Sequence, residues 1–144
     1  MTIFRSMQIN ASGLNLERLK LDTISTNIAN ANTTRTEDGE AYRRKVVQFR
    51  ENLTVERNRL NGLGEVKSQG VRVVGVGEDN SDFRVEYQPD HPDADENGYV
   101  TYSNVNMVDE MIDLIRTQRS YEANVTALNT SKSILKKALE ISKD

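Results

Sequence analysis

Apolar residues recur with a helical period at both ends of the chain and with a strand period between them. From Asn104 onward, alternating steps of three and four select Met107, Met111, Leu114, Gln118, Tyr121, Val125, Leu128, Lys132, Leu135 and Leu139. That is a coiled-coil seam of about five heptads, interrupted by polar Gln118 and Lys132, which set register at some cost in stability. Val108, Ile112 and Ile115 widen the apolar face of its first half. At the other end Met7, Leu14, Leu21 and Ile28 recur every seven residues, with Ala11 and Ile24 on the same face. Leu16 and Leu19 project elsewhere, so more than one face is expected to be covered. Two helices of this length cannot bury all these faces against each other, and the remainder calls for neighbours.

The middle reads differently. Seven of the eight glycines and both prolines fall between Gly39 and Gly98. "FRVEYQ" (Phe83–Gln88) alternates apolar and polar, predicting a half-buried strand with Phe83, Val85 and Tyr87 inward. Further strands are expected at Arg44–Phe49, Val71–Gly77 and Tyr99–Tyr102, with turns at "NGLGE" before Val66 and "EDNSD" before Phe83. The predicted fold class is therefore α+β, a long antiparallel pair of terminal helices packed like a coiled coil around a small β-rich middle. In domain terms, residues 1–32 and 104–144 form a helical assembly domain, and residues 33–103 a β-rich or irregular region.

Composition sharpens this picture. The chain has 144 residues, 36% hydrophobic and 6% aromatic, with no tryptophan. Its mean hydropathy is −0.65. A thin core follows, completed against partners. There is no cysteine, which removes disulfides and thiolate chemistry. The net charge of −3 is too mild to argue for nucleic acid. No run reaches the roughly 20 apolar residues of a membrane span, and the N-terminus lacks the three-part pattern of a cleavable signal peptide.

Chemistry-bearing motifs are weak. "DADENG" (Asp93–Gly98) opens like a calcium-binding loop, but Asn104 stands where the closing bidentate glutamate belongs. An acidic Asx turn is the expected structure. Arg43, Arg44 and Lys45 lack an aromatic stacking platform, so a solvated or subunit-contacting face is expected there rather than a nucleic-acid patch. His91 has neither a second histidine nor a cysteine to work with. "VVGVGED" (Val73–Asp79) lacks the third glycine of a dinucleotide site. No catalytic residue, metal site or cofactor is expected, and the chain is read as no enzyme.

The stretch "ISTNIANANTTR" (Ile24–Arg35) sets three asparagines, Asn27, Asn30 and Asn32, at the end of a helix. A left-handed stop uses one asparagine. The amides of Asn27 and Asn30, beside small Ala29 and Ala31, are expected to hydrogen-bond a neighbouring subunit.

"ASGLNLERLKLDTISTNIANANTTRT" (Ala11–Thr36) resembles the N-terminal signature of bacterial flagellar rod and hook proteins, with Thr26 in place of the more usual asparagine. The likeness continues through "GEAYRRKVV" and over His91–Ile141, including "RSYEANV" (Arg119–Val125). It covers about two-thirds of the chain. Within the remainder, Leu53–Gln69 matches no part of the pattern and is expected to be a local variation.

The resemblance implies a structural subunit of the basal-body rod that polymerises through its terminal helices, transmits torque and helps form the export-channel wall. It implies arms that order on assembly and export through the flagellar type III apparatus into the periplasm or cell-wall zone. Implied partners are copies of itself, other rod proteins, and adaptor and membrane-ring components, with no nucleic acid and no small-molecule substrate. The subunit-packing residues expected on this basis are Met7, Leu14, Leu21, Asn27, Ile28, Asn30, Met111, Leu114, Tyr121, Val125, Leu128, Leu135 and Leu139. The residues alone leave two rivals open. A coiled-coil adaptor or assembly protein of another secretion apparatus would form small oligomers of fixed size, and a small enzyme would show turnover dependent on His91.

Overall fold

Asn106 starts the second terminal helix. Its side-chain oxygen accepts from the Val108 amide at 3.0 Å, an N-cap, and Asp109 and Glu110 lie in the first turn, where the helix dipole favours negative charge. A computed structural model describes residues 3–57 and 64–141. Its elements are α1 (Ile3–Ala29), β1 (Lys45–Arg57), β2 (Gly64–Glu78), β3 (Arg84–Tyr87), β4 (Tyr99–Tyr102) and α2 (Met107–Ile141). At 35 residues, α2 extends about 52 Å at 1.5 Å per residue. The α+β class expected from the hydrophobic pattern is the one observed.

α1 ends by tightening. The Asn30 amide is shared between the carbonyls of Thr26 and Asn27, and the Ala31 amide reaches only to Ile28. The Asn30 side chain caps the Thr26 carbonyl at 2.9 Å. Among the described residues no non-glycine has positive φ, so a left-handed asparagine does not stop this helix.

All four expected strands are present, in two two-stranded sheets, β1 with β2 and β3 with β4. β1 and β2 run to 13 and 15 residues and take in the described part of the unmatched Leu53–Gln69 stretch. Most of the "NGLGE" turn lies outside the described residues. β3 and β4 are antiparallel, Val85 opposite Thr101 and Tyr87 opposite Tyr99. Here the expected inward face is corrected: Val85 and Tyr87 are exposed, while Val100, opposite Glu86, is fully buried. Alternation identifies two faces of a strand without saying which one its only partner carries into the core.

The chain divides into two compact units that cut across the expected split between helical ends and β-rich middle. The network unit comprises Lys20–Val47 and Val76–Arg116. It holds a small core of Ala31, Tyr42 and Val105, against which Met107 packs. The terminal unit comprises Met1–Leu19, Gln48–Gly75 and Thr117–Asp144. In it Gly13 of α1 lies directly beside Asn124 of α2, where an added Cβ would sit 3.0 Å from the amide nitrogen. Gly70, at φ +97°, brings β2 onto Ile9 and Ser12 so closely that any side chain would collide. The Ser12 hydroxyl donates to the Ile9 carbonyl at 2.7 Å and accepts from the Val71 amide at 3.1 Å. Arg5 donates to the Ser68 carbonyl at 2.7 Å.

Candidate subunit-packing site

Within the network unit, the end of α1 meets the start of α2 through polar side chains. Asn27 is 1% exposed and Glu110 0% exposed. Asn27 Nδ2 donates to the Lys45 carbonyl at 2.8 Å and to Glu110 Oε2 at 3.0 Å. Its Oδ1 accepts from the Tyr42 hydroxyl at 3.0 Å and the Lys45 amide at 2.9 Å. Every hydrogen-bonding position of this amide is filled inside its own chain. Arg44 Nε donates to Glu110 Oε1 at 2.6 Å, and the same guanidinium lies 3.4 Å from Asp79 and 3.8 Å from Asp113. Among the described residues no buried side-chain polar atom lacks a partner.

The electrostatics follow from burial. Desolvation pushes the Tyr42 phenol above its ordinary value, and the nearby Glu110 and Glu78 carboxylates push it further. Arg44 is held above its ordinary value by its bonds to Glu110 and Asp79, which outweigh the desolvation that would lower it. Asp79 is drawn below the usual carboxylate value by the hydrogen bonds it accepts from Ser81, with Arg44 adding to them.

Asn104 is the bracket of this unit. Its oxygen accepts from the Arg44 amide at 2.7 Å, and its nitrogen donates to the Asp79 carbonyl at 3.0 Å and the Ser81 hydroxyl at 2.9 Å. The residue that disqualified a calcium loop thus ties the start of β1 to the turn after β2. In the loop itself, Asp95 Oδ1 accepts from the Asn97 and Tyr99 amides, and Gly98 turns at φ +82°. This is the acidic Asx turn expected from the sequence. His91 Nδ1 accepts from the Asp93 amide at 3.1 Å. The basic run does not form one outward face: Arg44 points into the network, and Arg43 stacks over the Phe83 ring at 4.3 Å.

The expected packing residues fall into three groups. Asn27 is buried and spent within its own chain, and Asn30 serves the local helix end rather than reaching outward. Met7, Leu14, Leu21, Ile28, Leu114, Tyr121, Val125, Leu128 and Leu135 are half-buried. Met111 and Leu139 are exposed. On α2 the covered positions are Met107, Glu110, Asp113, Leu114, Thr117, Tyr121, Asn124, Val125, Leu128, Ser131 and Leu135. This frame shares every seventh residue with the expected one but replaces Met111, Gln118 and Lys132 by Glu110, Thr117 and Ser131. Val108, Met111, Ile112 and Ile115 form a separate stripe, 42% to 64% exposed. Glu110, the hub of the network, was not singled out from sequence. Its signals were a carboxylate three residues beyond Met107, on the seam side, and a place in the segment that carries the family likeness.

Comparison with known proteins bears directly on these two segments. Residues 7–35 match the family model described as flagella basal body rod protein, and residues 96–141 match that of the flagellar basal body rod FlgEFG protein C-terminal region. The flagellar basal-body rod protein FlgC of Bacillus subtilis is 43% identical, covering 99% of this chain and all of the relative. The chain belongs to the FlgC family. FlgC of Borreliella burgdorferi is 41% identical and that of Salmonella typhimurium 33%, each over 98% of both chains. A member of the FlgC family is a structural subunit of the bacterial flagellar basal-body rod and is located in the basal body among other rod components. The two matched segments hold both sides of the network, Asn27 in one and Asn104 and Glu110 in the other.

Proposed function

We propose that this FlgC-family chain assembles through its two terminal helices, and that the rod transmits torque through their packing. The carrying observation is the stripe Val108, Met111, Ile112 and Ile115. These residues at i, i+3, i+4 and i+7 share one helix face, which their own chain leaves open to solvent. An apolar stripe of this kind marks an interaction surface, and the polar network holds the opposite side of the same turns. Met7, Leu14, Leu21 and Ile28 on α1, with Tyr121, Val125, Leu128, Leu135 and Leu139 on α2, supply the rest of the packing surface and part of the export-channel wall. The neighbours are copies of this chain and other rod proteins, with adaptor and membrane-ring components at the base. The chain arrives in the periplasm or cell-wall zone through the flagellar type III export apparatus. Its role is mechanical, without substrate turnover or nucleic-acid binding.

The test is Met111→Asp with Ile115→Asp. Both side chains are exposed, so the chain should accumulate and be exported at its normal level. Rods recovered from the cells should fall at least tenfold, with loss of swimming. Normal swimming and normal rod yield would remove the stripe from the packing surface.

A further inference from the structure

We infer that the hydrogen bond between Asn27 and Glu110 sets the register of α1 against α2, which makes these two residues specificity-determining for the assembled subunit. The apolar seams cannot do this alone. Met7, Leu14, Leu21 and Ile28 repeat every seven residues, as do Met107, Leu114, Tyr121, Leu128 and Leu135. A slide of one heptad again lays apolar on apolar, so the seam is nearly degenerate between registers. The polar contact is not degenerate. A seven-residue slide carries Glu110 about 10.5 Å along the axis at 1.5 Å per residue. It would leave a buried amide proton and a buried carboxylate without each other.

The surroundings make the contact selective. Three of the four hydrogen bonds of Asn27 go to Tyr42 and the Lys45 backbone, which hold the amide in one orientation. Its remaining N–H points at Glu110. Arg44 holds the other carboxylate oxygen, so Glu110 is oriented from both sides. A buried polar contact of this type adds little net stability but rejects arrangements that leave it unmade.

The chain has no cysteine, so introduced pairs report register cleanly. In basal bodies, Gly13→Cys with Asn124→Cys reads the observed register, because the two positions touch. Gly13→Cys with Thr117→Cys or with Ser131→Cys reads slides of one heptad. These pairs also remove the Gly13–Asn124 contact or half of it, so register kept in their background comes from elsewhere. Intrachain products are separated from those between subunits by size on non-reducing gels. The ratio is read independently of swimming, so failure of the stripe Val108–Ile115 as a packing surface would not alter it.

Without further change, the 13–124 product should dominate. Glu110→Gln keeps an acceptor for Asn27 and should leave the ratio unchanged. Glu110→Met keeps the length and removes the acceptor, and should raise the off-register products about tenfold. A wild-type ratio in Glu110→Met would overturn the inference. So would absence of Glu110→Met from basal bodies with no off-register product in cell extracts, since a register device loses specificity before incorporation.

Discussion

The network unit joins its stretches of the two long helices through one hydrogen bond, from an asparagine held by three further bonds to a fully buried glutamate. Ile24, Ala31, Ala41, Tyr42, Val47, Val100 and Val105 are buried in the same unit. In the terminal unit, the one buried side chain of hydrophobic type among the described residues is Leu16, and the helices meet through Gly13 against Asn124. The difference lies in what each unit can hold by itself. Side chains that lose little water on folding supply little driving force. The network unit therefore carries most of the stability a lone chain can have.

Breaking the network is the strongest test of that contrast. Arg44→Met leaves the Glu110 carboxylate buried with Asn27 alone, and losing one partner of a buried pair costs about 3–5 kcal/mol. The lower end is expected, because Arg44 is itself one-quarter exposed. Hydrogen exchange on the purified chain should show lost protection across Lys20–Val47 and Val76–Arg116 and no change elsewhere. Equal loss in both units would mean that they do not differ in kind.

A matched pair of truncations sharpens the comparison. Ile24 and Leu16 are both buried on α1, one in each unit. Ile24→Ala should cost about 2 kcal/mol, the low end for a core truncation in so small a core. Leu16→Ala should cost under about 1 kcal/mol in the dilute chain, where no other described hydrophobic side chain of its unit is buried with it. Denaturant melts of the two variants would settle it, and equal costs would contradict the proposed difference.

The smallest effect is alkaline. The folded Tyr42 phenol titrates above its ordinary value, chiefly through burial. Its contribution to stability is complete below the unfolded value of about 10 and is lost as pH rises through the folded value. Tyr42→Phe should remove that loss while costing about 1 kcal/mol near neutral pH for the hydroxyl bond to Asn27. Melting curves between pH 8 and 11 should therefore converge. A constant gap between the two proteins would mean that Tyr42 does not titrate differently in the fold.

Much of this architecture is legible in the sequence because periodicity is local. Both helices, all four strands and the Asx turn at Asp95 follow from spacing and turn residues alone. What could not be read is which face meets which neighbour. Met111 and Glu110 are adjacent on α2, and hydrophobicity favours Met111 for the seam. The chain nevertheless turns Glu110 inward, because Asn27 and Arg44 arrive from elsewhere in the sequence to satisfy it. The surroundings of Asn27 were hidden for the same reason. Asn27 reads as an outward-reaching amide until Tyr42 and Lys45, 15 and 18 residues later, are seen to occupy it. Val85 and Tyr87 show the limit for strands, since alternation does not choose between two faces.

The glycine at position 70 has a mechanical consequence. With no side chain there, β2 lies on α1 with its backbone clasped at three points: Ser68 by Arg5, Val71 by Ser12, and Gly70 itself against Ile9. Strain applied to the β1–β2 ribbon would enter the helix at this clasp, over the two turns between Arg5 and Ser12. If the rod carries torque as proposed, a ribbon fastened at one short span would work as a lever arm, with Ser12 as its pivot pin.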